Sequence, residues 1–175
     1  SSLAEGLDGY LRALSVFDNG HGAALYAGGW FETVGEAKGT PLARWDGHAW
    51  SSSSVGLSGS ISTLAALDDG SGPALFAAGW LSTGGGDPTP SVARWDGRLW
   101  TSVARVAGGP DILALEVFDD GTGPALFAAG RFDSINGVAA ASIAKWNGVE
   151  WSPVGGGLSG QIGLAQVESL AVHDD

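Results

Sequence analysis

The chain contains no cysteine, which removes disulfides, thiolate metal sites and cysteine nucleophiles together. Basic residues are scarce: eight Lys and Arg stand against 19 Asp and Glu, a formal net charge of −11. Such a surface repels phosphate backbones, so nucleic acid is not an expected partner. The acidic excess reads first as solubility for a strand-rich chain. No apolar run reaches the roughly 18 residues of a membrane-spanning helix, so no membrane span is expected. The start lacks the basic-then-apolar pattern of a signal peptide and reads as a cut into a longer chain. A cysteine-free composition suits bacterial secreted or surface proteins as well as cytosolic ones. Location is left open, with secretion or the cell surface favoured.

What is abundant is apolar side chain and turn residue. The 175 residues are 44% hydrophobic and only 15% charged, with 30 glycines and eight tryptophans. That composition supports a single domain over residues 1–175 with a sizeable core. The glycines follow no collagen period; they fall between apolar runs, as turns do.

The chain repeats itself. "ARWDGHAW" (43–50) returns as "ARWDGRLW" (93–100) and "AKWNGVEW" (144–151). "LSVFDNG" (14–20) returns as "LAALDDG" (64–70), "LEVFDDG" (115–121) and "LAVHDD" (170–175). "ALYAGGWF" (24–31) returns as "ALFAAGWL" (74–81) and "ALFAAGRF" (125–132). Aligned on these phrases, the chain divides into units 1–50, 51–100 and 101–151 and a partial unit 152–175. A period near fifty residues means a solenoid, propeller or array. Each unit carries four short Val-, Leu-, Phe- and Trp-rich runs parted by Gly, Asp, Asn and Ser, at about 11–17, 24–31, 42–45 and 48–54 in the first. They read as strands A to D, none long enough for a helix. The expected fold is therefore an all-β propeller of four-stranded antiparallel blades.

The paired tryptophans then have a use. Asp46-Gly47 fits a two-residue type I′ hairpin loop, which would pair Trp45 with His48 and Ala43 with Trp50. Trp45 and Trp50 would share a face diagonally and pack against the next unit's sheet. Trp95 with Trp100, and Trp146 with Trp151, repeat the arrangement.

The order Tyr/Phe-Ala-Gly-Gly, then Ala-Arg-Trp-Asp-Gly, then a second tryptophan resembles kelch-type β-propeller repeats. It is most similar to the repeat arrays of bacterial surface and secreted proteins, related to those of fungal cortical polarity markers. Gly28-Gly29 matches the kelch double glycine, whereas Ala78-Gly79 and Ala129-Gly130 keep only the second. The resemblance implies a ring of blades and a binding role. The metal-binding tyrosines and histidines of its galactose oxidase-type enzymes have no counterpart pattern here.

Three units and a strand are fewer than the about four to eight blades of a propeller. The expectation is a segment of a longer array, or a homo-oligomer that completes the ring by exchanging the spare strand. The function expected is a non-enzymatic binding or scaffold module whose partner is itself, a protein or a carbohydrate. The alternatives are the non-catalytic propeller region of a larger extracellular enzyme, or a lectin-like binder.

Candidate binding positions are those that depart from the repeat. Trp30 and Trp80 are candidate sugar platforms; Arg131 replaces them in the third unit. Glu116 replaces Ser15 and Ala65 on strand A, expected to line the channel. The B–C loops "ETVGEAKGTP", "STGGGDPTPS" and "DSINGVAAAS" vary most, and loops on a constant scaffold carry binding. Arg44, Arg94 and Lys145 are read as structural cations, held against an indole or a neighbouring blade's carboxylate. His21, His48 and His173 occupy three different repeat positions, and no Ser/His/Asp or paired-carboxylate spacing stands out, so no catalytic or cofactor site is expected. Calcium at Asp18, Asp68 and Asp119 is the lesser reading, because an Asx turn explains Asp-Gly without a metal.

Overall fold

The computed structural model describes residues 7–83, 91–107, 111–158 and 165–172. The first six residues, most of the second B–C loop and His173 lie outside the described residues. Among those described there is no helix, hence none long and apolar enough to cross a membrane.

The chain folds as a succession of antiparallel meanders. β1 (Leu7–Asp18), β2 (Ala23–Val34), β3 (Ala37–Trp45) and β4 (Trp50–Ser52) form the first sheet in that order. β5 (Leu57–Asp68), β6 (Pro73–Thr83), β7 (Val92–Trp95) and β8 (Trp100–Ala104) form the second. After β9 (Val106–Ala107) come β10 (Asp111–Asp119), β11 (Pro124–Arg131), β12 (Ser134–Ile135), β13 (Val138–Ala139), β14 (Ile143–Trp146) and β15 (Trp151–Pro153). β10, β11, β14 and β15 make the third four-stranded sheet. The third B–C loop is itself a hairpin, β12–β13, which pairs with β9 just after the last strand of the second sheet. Asn136 secures this bridge: its Oδ1 accepts from the Arg105 amide and its Nδ2 donates to the Val103 carbonyl, both at 2.9 Å.

Each A–B loop is closed by its first aspartate. Asp18 Oδ1 accepts from the amides of Gly20 and Gly22 at 2.8 and 3.0 Å. Asp68 and Asp119 do the same for Gly70 and Gly72 and for Gly121 and Gly123. These glycines take positive φ, which L side chains tolerate poorly.

The C–D hairpins differ from the two-residue expectation. Trp45 pairs directly with Trp50, Trp95 with Trp100 and Trp146 with Trp151, leaving a four-residue loop between each pair. The reason is the side chain of the first loop residue. Asp46 Oδ1 accepts from the amides of His48 and Ala49 at 2.8 and 2.9 Å, an Asx turn that leaves positive φ at Gly47 alone. Those two amides hold the Asp46 carboxyl below its ordinary pKa. Asp96 and Asn147 repeat the geometry.

The tryptophan pairs also face the other way. Trp95 and Trp100 pack on the sheet before theirs, with Trp95 at 5.9 Å from the Phe17 ring and 5.6 Å from Tyr26. Trp151 donates its indole N–H to the Val103 carbonyl of the second sheet at 3.2 Å. Pleat parity decides the direction: Leu75, Ala77, Ala93 and Trp95 lie in the core shared with the first sheet, whereas Ala74, Phe76, Ala78 and Val92 lie in the core shared with the third. Trp45 and Trp50 pack with Leu25, Ala27, Phe31 and Ala43 of their own sheet.

Candidate functional site

β1, β5 and β10 each break register at an equivalent residue, β1 also at a second point between Asp8 and Gly9. The pairing shifts between Leu11 and Ala13, between Ile61 and Thr63, and between Ile112 and Ala114. A bulge of this kind re-aims a side chain, here Arg12, Ser62 and Leu113. These three equivalent residues line one cavity of about 320 Å³ together with Gln166 and Glu168. Glu168 precedes Leu170 by two residues, just as Ser62 precedes Leu64 by two. Glu168 is thus the fourth unit's counterpart of Ser62.

Opposite each bulge sits the second glycine of the repeated phrase: Leu11 pairs with Gly29, Ile61 with Gly79 and Ile112 with Gly130. A Cβ there would overlap the backbone carbonyl of Tyr10, Ser60 or Asp111. At Gly28 the nearest atoms to such a Cβ belong to the side chains of Ile61 and Leu64, not to backbone, and alanine stands at the equivalent positions 78 and 129.

Beyond the bulge, the first residues of A oppose the last of B. Tyr10 pairs with Trp30, Ser60 with Trp80 and Asp111 with Arg131. Tyr10 and Trp30 stack, ring centroids 6.2 Å apart and planes at 28°. Ser60 supplies no such ring, and Trp80 is 65% exposed. Its indole N–H donates to Asp111 Oδ1 of the next sheet at 3.2 Å. Arg12, Ser60, Ser62, Trp80, Asp111 and Leu113 together line a second cavity of about 380 Å³.

The structure therefore brings Trp80 beside Asp111, with the exposed Arg131 across from that carboxylate, and sets Trp30 against Tyr10. Glu116 is elsewhere. It lies five residues along β10 toward the A–B loop, in an apolar cleft with Phe118, Phe127, Leu170, Ala171 and Val172. Glu116 therefore does not line the cavity shared by Arg12 and Ser62, to which this strand contributes Leu113. Arg12, Ser60, Ser62 and Asp111 were not singled out from sequence. The signal available was that Arg12, Ser62 and Leu113 differ in character at one repeat position, as do Tyr10, Ser60 and Asp111.

Arg94 and Lys145 bind carboxylates of their own unit, not a neighbour's. In the first unit Asn19 stands at the equivalent of Asp69, and Arg44 lies beside the Tyr26 hydroxyl. Arg94 donates to both Asp69 oxygens at 3.0 and 3.3 Å. Burial opposes ionisation of Asp69, yet the bonds from Ser71 and Arg94 outweigh it and hold the carboxyl below its ordinary pKa. Lys145 reaches Asp120 at 2.7 Å, and with Thr122 lowers that carboxyl to about 2. Among the described residues no group of three or more His, Asp or Glu is placed to hold a metal ion. Asp18, Asp68 and Asp119, the lesser calcium candidates, each give an oxygen to loop amides.

In class, then, the chain is an all-β array of antiparallel meander sheets with a polar cavity at the ends of its A strands. Compared with known proteins, it matches no family, no curated sequence and no solved structure.

Proposed function

We propose that the chain is a non-enzymatic binding or scaffold module, built as part of a β-propeller of kelch-like blades. The observation that carries this reading is the convergence of Arg12, Ser62, Leu113 and Glu168, one from each successive unit, on a single cavity. Equivalent residues meet in this way when sheets radiate from an axis; in a linear stack they would lie one repeat apart. A second observation speaks for a partner at the leading edge. Leu14 is 54% exposed, whereas its equivalents Leu64 and Leu115 are 7% and 6% exposed against the preceding sheet. Leu11 and Val16 are exposed beside it. A further copy of the chain supplying the missing sheet face would cover them.

Light-scattering mass in solution tests the proposal, with Leu14→Asp as the discriminating variant. The expected result is an oligomer that Leu14→Asp dissociates into a folded monomer. A wild-type chain that is strictly monomeric at all concentrations contradicts self-completion of the ring.

A further inference from the structure

The geometry points to the Trp80 cavity as a saccharide-binding site, in which one pyranose ring stacks on the indole while its hydroxyls bond to Asp111, Arg12 and the serines. This rests on the binding-module reading and names its ligand class.

The inference begins with a difference between units that otherwise repeat. In the first, Tyr10 stacks on Trp30 and occupies the partner position of its ring. In the second, serine stands there, and the indole is left 65% exposed at the edge of a concavity. An indole left out of a core forgoes a large apolar gain, and here the residue that would have stacked on it is replaced by a hydroxyl. The N–H edge is held by Asp111 at 3.2 Å, which fixes the ring plane. The other Asp111 oxygen is not engaged by that bond.

The lining then selects the ligand. It offers the flat indole and the Leu113 side chain as apolar surface and, around them, a carboxylate, a guanidinium and two hydroxyls from Asp111, Arg12, Ser60 and Ser62. A pyranose matches both: its C–H face is apolar, and its rim carries hydroxyls that donate to a carboxylate and accept from a guanidinium. Such charge-assisted bonds are roughly twice as strong as neutral ones. The volume, about 380 Å³, falls inside the roughly 300–1,000 Å³ of small-ligand pockets. A phosphorylated ligand is disfavoured by Asp111, by Glu168 in the adjoining cavity and by the net charge of −11. A protein interface core is depleted in aspartate and serine, whereas Asp111, Ser60 and Ser62 line this cavity.

The test is titration of the whole chain with soluble hexasaccharides of β-1,4-glucose, β-1,4-xylose, β-1,4-N-acetylglucosamine and α-1,4-glucose. Calorimetry and tryptophan fluorescence read binding, and chromatography of the sugars reads cleavage. At least one probe is expected to bind. Trp80→Ala and Ser60→Tyr should each weaken it about tenfold or more, Ser60→Tyr by recreating the Tyr10–Trp30 stack of the first unit. Asp111→Asn should weaken it as well, and Trp30→Ala should leave it unchanged. No binding up to roughly 10 mM by a folded wild-type chain overturns the inference, as does binding indifferent to both Trp80→Ala and Ser60→Tyr. Binding that survives those two but is lost in Arg131→Ala overturns this pocket and leaves the binding-module reading standing. A probe that is cut rather than merely bound overturns the non-enzymatic reading, while Trp80→Ala still decides the pocket.

Discussion

Gly79 and Gly70 both hold positive φ, at +146° and +91°, but only Gly79 is crowded. A side chain at 70 would meet nothing within 4 Å, whereas at 79 it would overlap the Ser60 carbonyl across the bulge. The backbone conformation alone costs about 1–2 kcal/mol for a non-glycine residue; overlap with backbone adds to that, because the ladder must shift. Gly79→Ala should therefore destabilise by roughly 3 kcal/mol or more and Gly70→Ala by about half as much, measured by urea unfolding. Equal effects would mean that φ, not the bulge, is what preserves this glycine. The pH response belongs to single residues too. The Asp120 carboxyl, lowered from 3.8 to about 2 by Lys145 and Thr122, binds its proton less readily in the folded chain. Its contribution is complete above the unfolded value and is lost as pH falls through the folded one. The melting temperature of Asp120→Asn should lie below wild type at pH 6, and the gap should close between pH ~4 and pH ~2.

At the scale of elements, the hairpin tip shows how far short sequence can be read. Asp-Gly between apolar runs marks a turn in either geometry, and the spacing of the tryptophans puts both on one face. What it does not settle is whether the aspartate sits in the loop by its backbone or by its side chain, and the Asx bonds to His48 and Ala49 decide that. The direction of packing was hidden for a similar reason: Leu75 and Phe76 are both apolar and both buried, so alternation gives no sign of which face meets which sheet. The bulges at Arg12, Ser62 and Leu113 were equally invisible, since one extra residue in a strand leaves no compositional mark. The candidate site lies just beyond them, which is why Trp80 was legible as an unusual indole and its neighbours were not. The inter-sheet role of the indoles has a direct consequence. Trp100 is buried between the first and second sheets, so Trp100→Ala should cost about 3–5 kcal/mol. Its neighbour Leu99 is 62% exposed, and Leu99→Ala should change stability by less than about 0.5 kcal/mol. Chemical denaturation of the two variants makes the comparison.

For the whole molecule, the repeat was the legible feature, and its four-strand unit is recovered sheet by sheet. The arrangement of sheets in space depends on which residues face the next sheet, and so on parities and bulges that sequence conceals. The central claim is that the units turn about an axis instead of running in a line. Pulsed electron resonance between spin labels tests it directly, and the absence of cysteine lets pairs be introduced one at a time. Labels at Arg12 and Ser62, on the bulges of neighbouring units, should lie close together, near the axis. Labels at Ser51 and Thr101, on β4 and β8, should lie much farther apart than those at Arg12 and Ser62, because outer strands splay about an axis. If the outer pair is spaced no farther apart than the inner pair, the units form a straight stack, and the account is contradicted.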